Sequence, residues 1–172
     1  MAVINEVERS GQLLIGGEAD VIWSMVDFYR STLLTKCQGL AEDQLKCHSV
    51  RPSSLTLLGL LQHMTAVERY WFEECAEGRA VEPIYSSDTF RNGDFEALDT
   101  FPVKEVAERY HAACASSRGI AAAHSFEEVV ESEAYGHPLS IRFIAVHMVD
   151  EYARHCGHAD LLREAVDGVV GY

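Results

Sequence analysis

The chain has 172 residues, 48% of them hydrophobic, and a formal net charge of −13. Its length suits a single domain spanning residues 1–172, and its apolar content excludes a disordered protein. Because so acidic a surface repels phosphate backbones and anionic lipid headgroups, we expect neither a nucleic-acid partner nor a membrane partner.

Four segments carry apolar residues at spacings of three and four, the pattern of amphipathic helices. In chain order they span about 17–37, 53–77, 102–123 and 139–166. Pro52 precedes the second segment, so Ser53 or Ser54 is predicted to cap that helix. The pattern predicts an all-α protein.

The connections on either side of the third helix are long. Residues 78–101 include Tyr85, Phe90 and Phe95, and we interpret them as a loop anchored by aromatic rings. The next connection, 125–138, contains Val129 and Val130 and is a candidate for a short extended piece. Since an up-and-down bundle needs only short loops, the predicted fold is a four-helix bundle with long second and third connections.

The fourth helix carries a polar stripe formed by His147, Glu151, His155 and His158. At about 100° per residue these four side chains fall within roughly 80° of arc. Imidazoles and a carboxylate are the usual ligands of a borderline divalent metal such as zinc or nickel. The alternative is purely structural, with buried histidines satisfied by carbonyl groups.

A metal site inside a bundle also needs a ligand from a facing helix. His63 is the best candidate, because it lies between apolar residues of the second helix and must find a partner when buried. Tyr70 follows seven residues later, which places it on the same helical face. It either lines the cavity or packs in the core.

Two segments, LTLLGLLQHMTAVERYWF and SIRFIAVHMVDEYARHCGHADLLREAVDG, resemble the DinB-like (YfiT-like) metal-binding bundles. Within these the chain is most similar to the branch of the mycothiol-dependent maleylpyruvate isomerases, over about residues 22–168. The resemblance implies His63, Glu151 and His155 as the metal ligands. The first ligand on the fourth helix is commonly a histidine in this superfamily, whereas here it is Glu151. His147 and His158 are then left as substrate-facing, supporting or structural residues.

Two imidazoles and one carboxylate leave open positions on a divalent ion, which is typical of a catalytic site. The resemblance implies zinc, with nickel or iron as alternatives, and a low-molecular-weight thiol such as mycothiol. We therefore expect a thiol S-transferase or isomerase acting on a small molecule. The same ligands would also serve a metal-dependent hydrolase, and a non-catalytic, stress-associated metal-binding bundle is a further alternative.

Assembly and location follow from the resemblance and from composition. The resemblance implies a homodimer. The five cysteines form no C-x-x-C pair, and the N-terminal residues lack a basic region followed by an apolar run. No uncharged apolar run reaches the roughly 18 residues of a bilayer span. These observations predict a cytoplasmic protein.

Overall fold

The computed structural model describes residues 4–5, 7–87 and 89–171, and it is mostly helical. The helices are α1 (Glu18–Cys37), α2 (Glu42–Leu45), α3 (Leu57–Glu68), α4 (Gly93–Glu96), α5 (Val103–Ala123) and α6 (Ile141–Asp167). A π-helical segment, Arg69–Ala76, continues α3 without a break. The four long helices pack together around one apolar core, so the predicted fold class is confirmed. Among the described residues, none of the helices combines the length and apolar character needed to cross a membrane.

Helix directions explain the long second connection. Helices α1 and α6 are parallel, because Arg142 pairs with Glu18 near their first residues and Arg163 bonds the carbonyl of Lys36 near their ends. Helix α5 runs parallel to α3 and its π-helical continuation, with His124 against Glu77 at the shared end. Since parallel neighbours begin at the same end of a bundle, residues 77–102 must return along its length.

The third connection contains an antiparallel hairpin of β1 (Val129–Ser132) and β2 (His137–Ser140). The extended piece expected at Val129 and Val130 is therefore present. Leu139, expected in the fourth helix, instead pairs with Val130 in the hairpin. Helix α6 begins two residues later, where the Ser140 hydroxyl accepts a hydrogen bond from the Phe143 amide at 3.1 Å.

The N-cap of α3 differs from the prediction. Thr56, rather than Ser53 or Ser54, caps this helix, with its hydroxyl accepting the Gly59 amide at 2.9 Å. The Ser53 hydroxyl instead accepts the amide of Leu55 at 3.2 Å, closing a local turn. A serine engaged in such a turn competes with helix initiation, and the helix therefore starts after it.

The bundle interior contains a buried polar network. Arg30 of α1 donates two hydrogen bonds of 2.7 Å to the carboxylate of Glu68 in α3. Tyr152 of α6 donates to the same carboxylate at 2.6 Å, and the Tyr110 hydroxyl of α5 lies 3.0 Å from that of Tyr152. These four side chains are almost fully buried and come from all four long helices. The network therefore fixes how the helices sit relative to one another.

Gly93, the first residue of α4, approaches the neighbouring main chain closely. A Cβ at this position would overlap the carbonyl group of Tyr85. We expect Gly93→Ala to destabilise the protein by about 1–3 kcal/mol in urea unfolding, because backbone atoms cannot move aside. Gly119→Ala in α5 is the matched control, since nothing lies within 4 Å of its Cβ position. It should stabilise by about 0.5–1 kcal/mol. Equal effects of the two substitutions would refute the close approach.

Candidate metal centre

Three potential metal ligands converge between α3 and α6. One ligand atom from each of His63, Glu151 and His155 lies within 4.8 Å of the others. The Nε2 atom of His155 is 3.5 Å from Oε2 of Glu151, and the rings of His63 and His155 have centroids 4.8 Å apart. Helices α3 and α6 are antiparallel here. Glu151 and His155, one turn apart on α6, both face His63 of α3.

The geometry and chemistry of this cluster fit a divalent ion. Two ligands bound tetrahedrally to zinc at about 2.1 Å are roughly 3.4 Å apart, close to the observed His155–Glu151 separation. Oε1 of Glu151 accepts a hydrogen bond from Arg154 at 3.1 Å, which leaves Oε2 available. Two imidazoles and one carboxylate are a three-ligand set that keeps positions open for a substrate.

Asp94 orients His63, the candidate ligand from α3. Its Oδ2 atom lies 3.1 Å from Nδ1 of His63, so the carboxylate accepts a hydrogen bond from Nδ1–H and Nε2 is left for a metal. Gln62 holds the same turn by donating to the Asp94 carbonyl at 2.9 Å, and the Phe95 ring lies against His63. The short helix α4 therefore acts as a support for the cluster.

We expect Asp94→Asn to weaken metal binding about 10- to 100-fold, because an amide stabilises the required ring orientation less well than a carboxylate. The measurement is a competition titration against a chelating dye. Asp99→Asn is the control, because Asp99 is an exposed loop acid that pairs with Lys46. Equal affinities for the two variants would show that Asp94 does not support His63.

Burial keeps His155 in the form that binds metals. Desolvation, together with the nearby His63 and His158 rings, lowers the pKa of His155 to about 4. The ring is therefore neutral at pH 7, with a free lone pair. Its Nδ1 atom lies 3.3 Å from Nδ1 of His158, so one of these rings donates to the other and Nε2 of His155 faces Glu151.

Of the other predicted site residues, His147 and His158 lie beside this cluster, whereas Tyr70 does not contact it. His158 contacts Nδ1 of His155, the ring nitrogen opposite the one that faces Glu151. His147 lies one turn before Glu151, with its Nε2 atom 3.7 Å from Oε1 of Glu151. Tyr70 is directed elsewhere: its hydroxyl is 3.4 Å from the carbonyl oxygen of Ala134 in the hairpin turn.

The π-helical segment explains the position of Tyr70. In a regular α-helix Tyr70 shares the face of His63, but i→i+5 bonding widens the turn and shifts the following side chains. Trp71 consequently occupies that face, and its ring centroid lies 4.4 Å from that of His147. Trp71 and Asp94 lie near the site and were not among the predicted site residues. Asp94 had one visible signal, since it is an acid in a loop anchored by aromatic residues.

Comparison with protein families gives a match. The family model described as mycothiol-S-transferase matches residues 21–168, which include the four long helices apart from the first three residues of α1. All three residues of the cluster lie inside the matched range. The comparison with curated proteins gives no match.

Proposed function

The chain belongs to the mycothiol-S-transferase family, and we propose that it is a metal-dependent enzyme that transfers mycothiol to an electrophilic small molecule. The observation that carries this proposal is the convergence of His63, Glu151 and His155 inside the matched range. The three side chains supply neutral nitrogen and anionic oxygen donors from two rigid helices, as a catalytic ion requires.

In this proposal Nε2 of His63, Oε2 of Glu151 and Nε2 of His155 would hold the ion. A divalent ion bound there would supply a Lewis acid that favours the thiolate form of a thiol near neutral pH. Asp94 and His158 keep the two imidazoles turned toward the centre. The buried side of the cluster limits access by water, since the side chains of Glu151 and His155 are only 14% and 11% exposed.

His147 is the residue suited to move the thiol proton. Its ring lies next to Glu151 and remains 28% exposed, so Nε2 can take a proton from the substrate and return it to solvent. In the transfer itself the sulfur forms a bond to an electron-poor carbon of the acceptor. The leaving group departs with the electrons of its former bond, and the thiol proton passes to His147.

The direct test is transfer of mycothiol to iodoacetamide by the zinc-loaded protein, followed as loss of free thiol and appearance of iodide. We expect turnover well above the uncatalysed rate, its loss after treatment with a chelator, and its recovery when zinc is restored. Turnover that a chelator does not affect would contradict the metal-dependent mechanism. Chelator-sensitive ester hydrolysis without any thiol transfer would favour a hydrolase instead.

A further inference from the structure

Next to the candidate metal centre lies a group of aromatic side chains, of which the proposed mechanism uses only His147. Trp71, Tyr135, Phe143 and His147 form this aromatic shelf, at the junction of the π-helical segment, the hairpin turn and the start of α6. The Trp71 ring centroid is 4.4 Å from His147, 5.5 Å from Tyr135 and 6.0 Å from Phe143. Phe143 and His147 are stacked, with an interplanar angle of 17°.

The shelf combines a buried floor with exposed rings. Trp71 is only 6% exposed, whereas Phe143 and Tyr135 are 41% and 42% exposed. Clustered exposed aromatic rings are unfavourable in water, and a flat apolar ligand placed on them would remove that surface from solvent. The packing among the rings holds them in place, so a ligand would bind to a preformed surface.

The position of the shelf connects it with the reaction. Its inner member, His147, has Nε2 only 3.7 Å from Oε1 of Glu151, one turn along α6. A molecule lying on Phe143 and Tyr135 with one end at His147 would therefore reach the side of Glu151, the nearest member of the candidate metal centre. This is where an acceptor must lie when a thiol sulfur attacks it, and the shelf is continuous with the candidate metal centre.

The charges around the shelf restrict what it can bind. On the hairpin that carries Tyr135, the neighbouring charged residues are Glu131 and Glu133. Arg142, next to Phe143 in the chain, is engaged by Glu18 and Glu127 at 3.2 and 2.8 Å. Arg154 is engaged by Asp150 and Glu151. The surface therefore disfavours anions.

Resting on the proposed thiol transfer, we propose that the aromatic shelf is the subsite for the acceptor and selects flat aromatic electrophiles that carry no negative charge. Trp71 forms its floor, Phe143 and Tyr135 stack on the acceptor, and His147 lies at the reacting end. The π-helical segment is the element that places Trp71 there.

The first test measures binding without reaction. Trp23→Phe leaves Trp71 as the single tryptophan of the chain, because the chain has two. In the zinc-loaded Trp23→Phe protein, 4-nitrobenzyl alcohol should quench Trp71 fluorescence saturably, whereas 4-nitrobenzoate should not. Adding Phe143→Ala should weaken the binding about three- to tenfold. Phe90→Ala is the matched control, since Phe90 is also 41% exposed and lies in a different part of the chain. Equal dissociation constants for these two variants would overturn the proposal.

The second test separates the shelf from the transfer reaction, using mycothiol with 4-nitrobenzyl bromide or iodoacetamide. The acceptor ratio is the KM for 4-nitrobenzyl bromide divided by the KM for iodoacetamide. Phe143→Ala should raise this ratio about three- to tenfold over the wild type, and Trp71→Phe should raise it too. A raised KM for mycothiol with an unchanged acceptor ratio would assign the shelf to the thiol and overturn the proposal. Should no acceptor react while the binding test gives its expected result, the proposed function fails, and the shelf stands only as a binding surface for flat, uncharged aromatic molecules.

Discussion

Replacing Glu151 by glutamine is expected to lower the kcat/KM of thiol transfer about 10³-fold, because the proposed metal site would lose the charge of its carboxylate. A metal's stabilisation of developing charge amounts to several kcal/mol, and each 1.4 kcal/mol or so is a tenfold change in rate. Glutamine preserves the side chain's size and its packing beside Arg154, so the loss would arise from the missing charge. Steady-state kinetics with zinc in excess measures it.

Asp150→Asn is the matched control for this experiment. Asp150 is the adjacent acid on α6, is 59% exposed, and pairs with the same Arg154. Its kcat/KM should stay within about twofold of the wild type, because exposed ion pairs contribute little. If Glu151→Gln retained a tenth or more of the wild-type activity, Glu151 would not be a ligand of the catalytic ion.

Replacing Glu68 by alanine is expected to lower the free energy of unfolding by about 3–5 kcal/mol, because Arg30 would lose its fully buried counter-charge and keep only Asp27, whose side chain is 34% exposed. Small domains are stable by only about 5–15 kcal/mol, so this is a large fraction of the total. Urea unfolding followed by circular dichroism gives the value. Glu105→Ala is the control, since Glu105 pairs with Arg109 at 2.7 Å but is 40% exposed. It should cost less than about 0.5 kcal/mol.

The same pair predicts how stability depends on pH. Burial alone would raise the pKa of Glu68, but Arg30 lowers it below the ordinary value of 4.5. A carboxyl group whose pKa is lower in the folded than in the unfolded state stabilises the protein at pH values above the unfolded-state pKa. This stabilisation is lost as the pH falls through the folded-state pKa. The wild type should therefore lose stability in acid more steeply than Glu68→Ala. Identical acid dependence would contradict the ion pair.

The helical bundle and the polar stripe of the fourth helix were predictable because both depend on local periodicity. Apolar spacing identified the four long helices, and the spacing of Glu151 and His155 fixed their common face whatever the tertiary structure. The apolar surroundings of His63 indicated it as the partner across the bundle, and the resemblance then selected it together with Glu151 and His155. The structure brings these three side chains together.

The missed features depend on contacts between segments that are distant in the sequence. Asp94 meets His63 only after the loop has packed against α3, and hydrophobic periodicity does not reveal that contact. The apolar spacing of the π-helical segment does not distinguish it from a regular α-helix. Tyr70 rather than Trp71 was therefore expected on the same face as His63. The single-domain organisation over 1–172 and the homodimer remain predictions.

The central claim, one divalent ion held jointly by α3 and α6, is tested most directly by elemental analysis of protein purified without an affinity tag. The wild type and His111→Ala, which changes an exposed histidine of α5, should each contain about one zinc, nickel or iron ion per chain. The His63→Ala and His155→Ala variants, folded by circular dichroism, should contain far less. A wild type that holds no ion after incubation with divalent metals, or folded variants that keep a full complement, would contradict the account.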